Sequence, residues 1–211
     1  MSVKQKSFAN TAKGIIDKLA LRGMEGYYAE SKEDALTLIS SMIPEGATIA
    51  NGGSETLKEV GVFKLIQSGN YEFHDRMMAK TPEEKKEMNA KLINSDYFLM
   101  STNAITLDGV LVNIDGLGNR VSYLIYGPEN VIVVAGMNKV STDVESALKR
   151  VRNIASPPNA LRLSCNTPCA KVGHCTDCLS TDCICCEVVV TRKSRIKNRI
   201  KVILVGEELG F

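Results

Sequence analysis

The run Val131-Ile132-Val133-Val134-Ala135 narrows the fold more than any other feature: five consecutive apolar residues, four of them β-branched, present no polar face. Such a strand needs cover on both sides, and a parallel sheet flanked by helices supplies it. The surrounding sequence alternates accordingly. Phe8, Ala12, Ile15, Ile16 and Leu19 recur near helical spacing, and Gly23 suits the end of a helix over residues 4–21. Tyr27 and Tyr28 follow in a short extended stretch. Ser31, three residues before Asp34, opens a second helix to about Met42. Residues 47–50, 71–74, 97–100 and 110–114 read as strands. Residues 82–93 form a charged helix with Pro82 in its first turn. Ser141 or Thr142 caps a helix to about Ile154. Strand and helix in alternation predict an α/β fold, a layered sheet with helices on both faces.

Ser156-Pro157-Pro158-Asn159 breaks that pattern. The expected organisation is an α/β domain over residues 1–160, a cysteine-rich metal-binding insertion over 161–187, and C-terminal strands over 188–211 that complete the domain. Residues 187–191 and 200–205 read as the two strands of a hairpin, or as an edge added to the main sheet. From the end of the first into the second, Arg192, Lys193, Arg195, Lys197, Arg199 and Lys201 fall within ten residues. A basic run beside a cysteine-rich module is a nucleic-acid reading. A charged turn that discourages edge pairing is the plainer one, and the absence of interleaved aromatics favours it.

Charge and cysteine usage restrict the setting. The 26 basic and 24 acidic side chains leave +2, which exerts no global pull on nucleic acid or an anionic membrane. No apolar run approaches the ~20 residues that span a bilayer, and the first residues lack a signal-peptide core. A cytoplasmic location with no membrane partner is therefore expected. All seven cysteines lie within the 22 residues from Cys165 to Cys186. A secreted disulfide scaffold would spread them through the chain, so clustered thiols point to metal. Cys175-x-x-Cys178 places two thiolates within reach of one ion, and thiolates select zinc or iron–sulfur clusters. Pro168 and Gly173 let the chain turn around such a centre.

Two loops carry the other candidate chemistry. Asn51-Gly52-Gly53-Ser54-Glu55-Thr56-Leu57 leaves a strand and opens a helix. Its glycines, Ser54, Thr56 and backbone N–H groups suit an anion, and a plain N-cap by Ser54 is the competing reading. Residues 103–120 hold Asn103, Thr106, Asp108, Asn113 and Asp115 between two hairpin signals. These side chains either make turns or ring a pocket at strand ends. His74 and Asp108 are candidates for acid–base work, with Arg76 as a carboxylate clamp. Lys139 either neutralises an anionic ligand or lies exposed in its loop.

The combination GGSETL, NAITLDGVLVNIDGLGNRVS and YGPENVIVVAGMNK, in that order, resembles the LUD-domain (lactate-utilisation protein C-like) family over nearly the whole chain. The resemblance implies a fold similar to that of sugar-phosphate isomerases and CoA transferases. It implies a pocket for a small anionic metabolite at Gly52, Gly53, Ser54, Thr56, Asn103, Thr106 and Asp108. The cysteine-bearing branch of the family further implies Cys169, Cys175, Cys178 and Cys185 as a tetrathiolate. Cys165, Cys183 and Cys186 are additional here, and Cys183 or Cys186 can replace Cys185. An iron–sulfur cluster, such as [4Fe–4S], is the expected cofactor, with zinc as the alternative. The implied role is lactate or 2-hydroxy acid utilisation within a redox system, alongside an iron–sulfur partner protein. A non-enzymatic ligand-sensing or partner-binding subunit with a structural zinc competes with it, and a homo-oligomer fits either.

Overall fold

Val131–Ala135 forms the middle of a seven-residue strand, Asn130–Gly136, in which every side chain from Val131 onward is buried. It belongs to a computed structural model that describes residues 2–211. The chain runs through α1 (Val3–Leu21), β1 (Glu25–Ala29), α2 (Lys32–Met42), β2 (Thr48–Asn51), α3 (Glu55–Val60), α4 (Val62–Ile66) and β3 (Glu72–Phe73). It continues through α5 (Pro82–Ile93), β4 (Tyr97–Ser101), β5 (Ala104–Thr106), β6 (Leu111–Asp115), α6 (Asn119–Ile125) and β7 (Asn130–Gly136). The last third holds β8 (Val140–Ser141), α7 (Val144–Arg150), α8 (Ser156–Arg162), α9 (Pro168–Val172), β9 (Glu187–Thr191) and β10 (Ile200–Val205).

Six strands make one sheet in the order β1-β10-β7-β4-β2-β3, and every pairing in it is parallel. Alternate residues of β7 serve opposite layers, as the two-residue strand period requires. Val131, Val133 and Ala135 pack with Ala12, Ile15 and Leu19 of α1. Ile132 and Val134 pack with Ala35 and Ile39 of α2 and Leu57 of α3. Each Val, Ile or Leu among them withdrawn from water contributes about 1.5–3 kcal/mol, so the run anchors both layers. The expected layered α/β sheet with helices on both faces is the architecture found.

A second sheet, β8-β5-β6-β9, was not anticipated from the sequence. It is small and mixed: β5 pairs antiparallel with β6 and parallel with β8, and β6 pairs antiparallel with β9. Ala104, Val112 and Ile114 pack there against Ala147 of α7 and Val151 and Ala155 beyond it.

The sequence expectations need correction at three places near the C-terminus. Residues 187–191 and 200–205 are not a hairpin: β9 closes the small sheet, whereas β10 lies inside the large one between β1 and β7. The apolar spacing of Ile200, Val202 and Leu204 against Ile203 and Val205 serves both faces, and only an interior strand needs that. The basic residues between them are a crossover. Arg199 is turned inward, donating to the carbonyls of Pro128, Leu124 and Tyr123 at 2.9, 2.7 and 2.8 Å.

Pro157-Pro158 does not end the helical run, because both sit in the first turn of α8, where missing N–H groups cost least. A π-helical turn, Val151–Ala155, joins α7 to α8 directly. The cap of α7 is Asp143, whose carboxylate accepts from Ser146 N at 2.7 Å, rather than Ser141 or Thr142.

Candidate functional site

Three adjacent parallel strands, β2, β4 and β7, end on the same side of the large sheet. The segments that leave them surround a cavity of about 310 Å³ at their carboxyl ends, where open α/β sheets bind ligands. After β2 come Gly53, Ser54 and Thr56; after β4, Thr102 and Asn103; after β7, Lys139. The β6–α6 turn, α8 and Phe211 complete the wall.

Lys139 is the central group. It is only 4% exposed, yet it lines the cavity. Its ammonium donates to Thr56 Oγ1 at 2.8 Å and Ser101 Oγ at 3.0 Å. Among the described residues no carboxylate forms an ion pair with it. Burial lowers its pKa from 10.5 to about 7, and the positive charges of Arg150 and Arg120 push the same way against the weaker pull of Glu59. The sequence signal for Lys139 was a lone lysine after an apolar strand. Its burial follows from the short helical turn Met137–Lys139, which tucks it back under the sheet edge, and from the C-terminal segment that covers it. Gly210 makes that cover close: a Cβ there would meet Thr56 Oγ1 at 2.6 Å.

Arg120 also lines the cavity, but its guanidinium is fully engaged. Nε donates to Asp115 Oδ2 at 3.0 Å. Nη1 serves Asn113 Oδ1 at 2.7 Å and Ser101 O at 3.4 Å. Nη2 serves Ile114 O at 2.9 Å and Asn103 Oδ1 at 3.0 Å. Five bonds fix the rim between β4 and α6, so Arg120 contributes charge without a free donor. Arg162 is partly neutralised by Glu55 at 3.5 Å. Arg76 is different: it borders the cavity beside Gly53, is exposed, and among the described residues forms no hydrogen bond or ion pair.

The sequence candidates divide. Gly53, Ser54, Thr56 and Asn103 come together at the cavity. Ser54 caps α3 as well, accepting from Leu57 N at 3.2 Å, so both readings of that loop hold at once. Gly52, Thr106 and Asp108 do not line it. Gly52 backs onto Phe98 and the stem of Arg120. Thr106 is buried and accepts from Val110 N at 3.0 Å to close the β5–β6 turn. Asp108 is exposed in that turn, where its carbonyl accepts from Arg22. His74 also lies outside the cavity, held between Ser95 Oγ at 3.0 Å and Glu72 Oε1 at 3.1 Å.

The cysteine segment adjoins the cavity. Cys186 N donates to Asp115 O at 3.0 Å, and β9 then pairs along β6. Ile184 becomes part of the cavity wall, packed on Gly116, where a Cβ would lie 3.2 Å from its Cα. Cys185 donates from Sγ to Ser156 Oγ at 3.4 Å, and Cys169 lies buried against Thr167 Oγ1 at 3.2 Å. All seven thiols are free. Burial, then the neighbouring Cys183, Cys175 and Cys169, push the Cys185 thiol pKa up, against a lowering contribution from Ser156. Among the described residues no three His, Cys, Asp or Glu side chains are drawn together tightly enough to hold an ion. No helix among those residues is long and apolar enough to cross a membrane.

The LUD-domain sequence profile matches residues 12–205. The chain belongs to the LUD-domain family. The LUD assignment covers both sheets and the cysteine segment. A similar solved structure is the crystal structure of a duf162 family protein from Deinococcus radiodurans. It is 13% identical, superposes with a TM-score of 0.53, and the alignment covers 94% of this chain and 98% of that one. At that identity the likeness concerns the LUD fold alone. No curated protein matches the sequence.

Proposed function

We propose that this LUD-domain protein binds a small carboxylate of the 2-hydroxy or 2-oxo acid class at the carboxyl ends of β2, β4 and β7, within a redox system for lactate or a related acid. The observation that carries this reading is Lys139: a buried amine on a cavity wall, held by two neutral hydroxyls and, among the described residues, lacking a carboxylate partner. Protonated and buried, it wants an anion, since an uncompensated buried charge is costly. Arg76, with no partner of its own among the described residues, supplies a second cation at the mouth. About 310 Å³ is at the small end of ligand sites and suits a metabolite rather than a polymer.

The cysteine segment is proposed as the metal centre of the same system. Seven free thiols give a sulfur-only donor set, which suits zinc or iron–sulfur. Cys169, Cys175, Cys178 and Cys185 would hold it. An iron–sulfur cluster would supply one-electron transfer to an iron–sulfur partner protein, whereas zinc would be a staple. The chain's own contribution is to bind and orient the acid with Lys139 and Arg76, and to exclude water beneath Ile184 and Phe211.

Thermal-shift titrations of L-lactate, pyruvate and neutral analogues test the pocket. Stabilisation by the acids alone, lost in Lys139→Met, is the expected result; equal response to lactamide would overturn it. Metal and sulfide analysis of anaerobically purified protein beside a Cys175→Ser/Cys178→Ser variant tests the centre. Iron with sulfide supports the redox system, and equimolar zinc favours the non-enzymatic alternative. Metal-free protein would remove the centre from the proposal.

A further inference from the structure

The surroundings of Lys139 provide for more than charge. Two hydroxyls accept its N–H bonds, and both have committed their own protons elsewhere. Thr56 Oγ1 donates to Leu209 O at 3.3 Å, and the Ser101 hydroxyl has Thr102 O at 3.2 Å and Thr56 Oγ1 at 3.4 Å as its acceptors. The two hydroxyls therefore face the amine as acceptors. A neutral amine has two N–H donors and one lone pair. Two acceptors satisfy both donors and leave the lone pair without a partner, on a residue that lines the cavity. An ammonium in the same place has a third N–H, which a carboxylate bound in the cavity would receive, so the charged form holds the acid and the neutral form carries the free lone pair. Among the described residues no second lysine lines the cavity.

We propose that Lys139 is a nucleophile that forms an imine with the carbonyl carbon of a 2-oxo acid bound in this cavity. The inference rests on the carboxylate-binding reading and names the substrate class and the reacting atom. The Lys139 Nζ lone pair attacks the carbonyl carbon, forming the C–N bond, while the carbonyl oxygen takes a proton to give a carbinolamine. The first of the two amine protons is the one the oxygen takes; the second leaves with the hydroxyl as water, and a C=N bond replaces C=O. Nothing is oxidised or reduced, and one water is released. Arg76 at the mouth is placed to hold the carboxylate end. A buried lysine flanked by other cations is the arrangement that keeps an amine neutral near neutral pH, and burial with Arg150 and Arg120 does so here.

The test is reductive trapping on the full-length protein. Pyruvate and sodium borohydride are added together, followed by intact mass and peptide mapping. L-lactate, which has no carbonyl, is the control. The expected result is one N-(1-carboxyethyl) adduct per chain, on the peptide holding Lys139, formed faster as pH rises through about 7. Lys139→Arg has no nucleophilic amine and should lose the adduct. Mapping of the wild-type protein keeps the test valid should that variant fail to fold. Adducts scattered over surface lysines would overturn the proposal. Thermal stabilisation by pyruvate with no adduct would overturn the imine and leave the binding reading intact. Neither stabilisation nor adduct would overturn both.

Discussion

Arg120 Nε lies 3.0 Å from Asp115 Oδ2, and the two side chains are only 13% and 8% exposed. The pair spans the turn from β6 into α6. Asp115 Oδ1 also accepts from Gly118 N at 2.9 Å, so both residues are tied to backbone as well as to each other. Removing one partner of such a pair strands the other in a poorly hydrated place. Arg120→Ala is expected to destabilise the fold by about 3–5 kcal/mol. Arg120→Lys should recover little, since an ammonium cannot reproduce a five-bond planar fork. Urea unfolding midpoints measure both, and a midpoint for Arg120→Lys near wild type would contradict the scaffold role.

Lys139 links stability to pH. Its pKa is about 7 in the folded chain and 10.5 as the ordinary value. Between these values the unfolded chain binds the extra proton, so stability rises with pH across that window and levels off above it. The rise amounts to roughly a few kcal/mol. Lys139→Met has no proton to lose and should flatten it. Urea midpoints at stepped pH values, compared between the two proteins, read the effect directly.

Thr56 Oγ1 is a hydrogen-bond acceptor for Lys139 and a donor to Leu209 O. Thr56→Val keeps the shape and removes both bonds, along with the longer one from Ser101 Oγ at 3.4 Å. The expected cost is about 1–3 kcal/mol from the groups left unpaired. Thr56→Ser should sit close to wild type. Chemical denaturation separates these outcomes, and ligand-induced stabilisation should fall for valine more than for serine.

Ile184 couples the cysteine segment to the cavity, because it stands between Cys183 and Cys185 and forms part of the wall. Removal of metal by a chelator, or Cys175→Ser/Cys178→Ser, should therefore weaken stabilisation by L-lactate or pyruvate. An unchanged thermal shift in the stripped protein would show that the two parts act independently.

His74 is bound to Ser95 and Glu72 and does not reach the cavity. His74→Ala should leave ligand-induced stabilisation unchanged and cost about 1 kcal/mol or less in stability, as for a typical side-chain hydrogen bond. Asp108→Asn, in the exposed β5–β6 turn, should be silent in both measurements. Calorimetric titration of either variant with the acid is the check.

By itself the sequence determined the layered architecture, because local periodicity carries it. The unbroken run of β7 demanded cover on two faces, and the spacing of Ala12, Ile15 and Leu19 gave a helix one apolar stripe to supply it. It also brought out the glycine-rich loop after β2 and the cysteine cluster, whose composition speaks without a fold. Tertiary structure decided what depends on neighbours remote in sequence. β10 reads like a hairpin strand but is interior, because its partners β1 and β7 lie far away along the chain. Asn103 and Asp115 are polar residues in turns until Arg120 gathers them into one rim. Lys139 reads as an exposed loop lysine; only the convergence of β2, β4 and the C-terminal segment buries it. A side chain's charge state and reactivity depend on which atoms surround it, and the two hydroxyls that hold Lys139 come from residues 83 and 38 positions away.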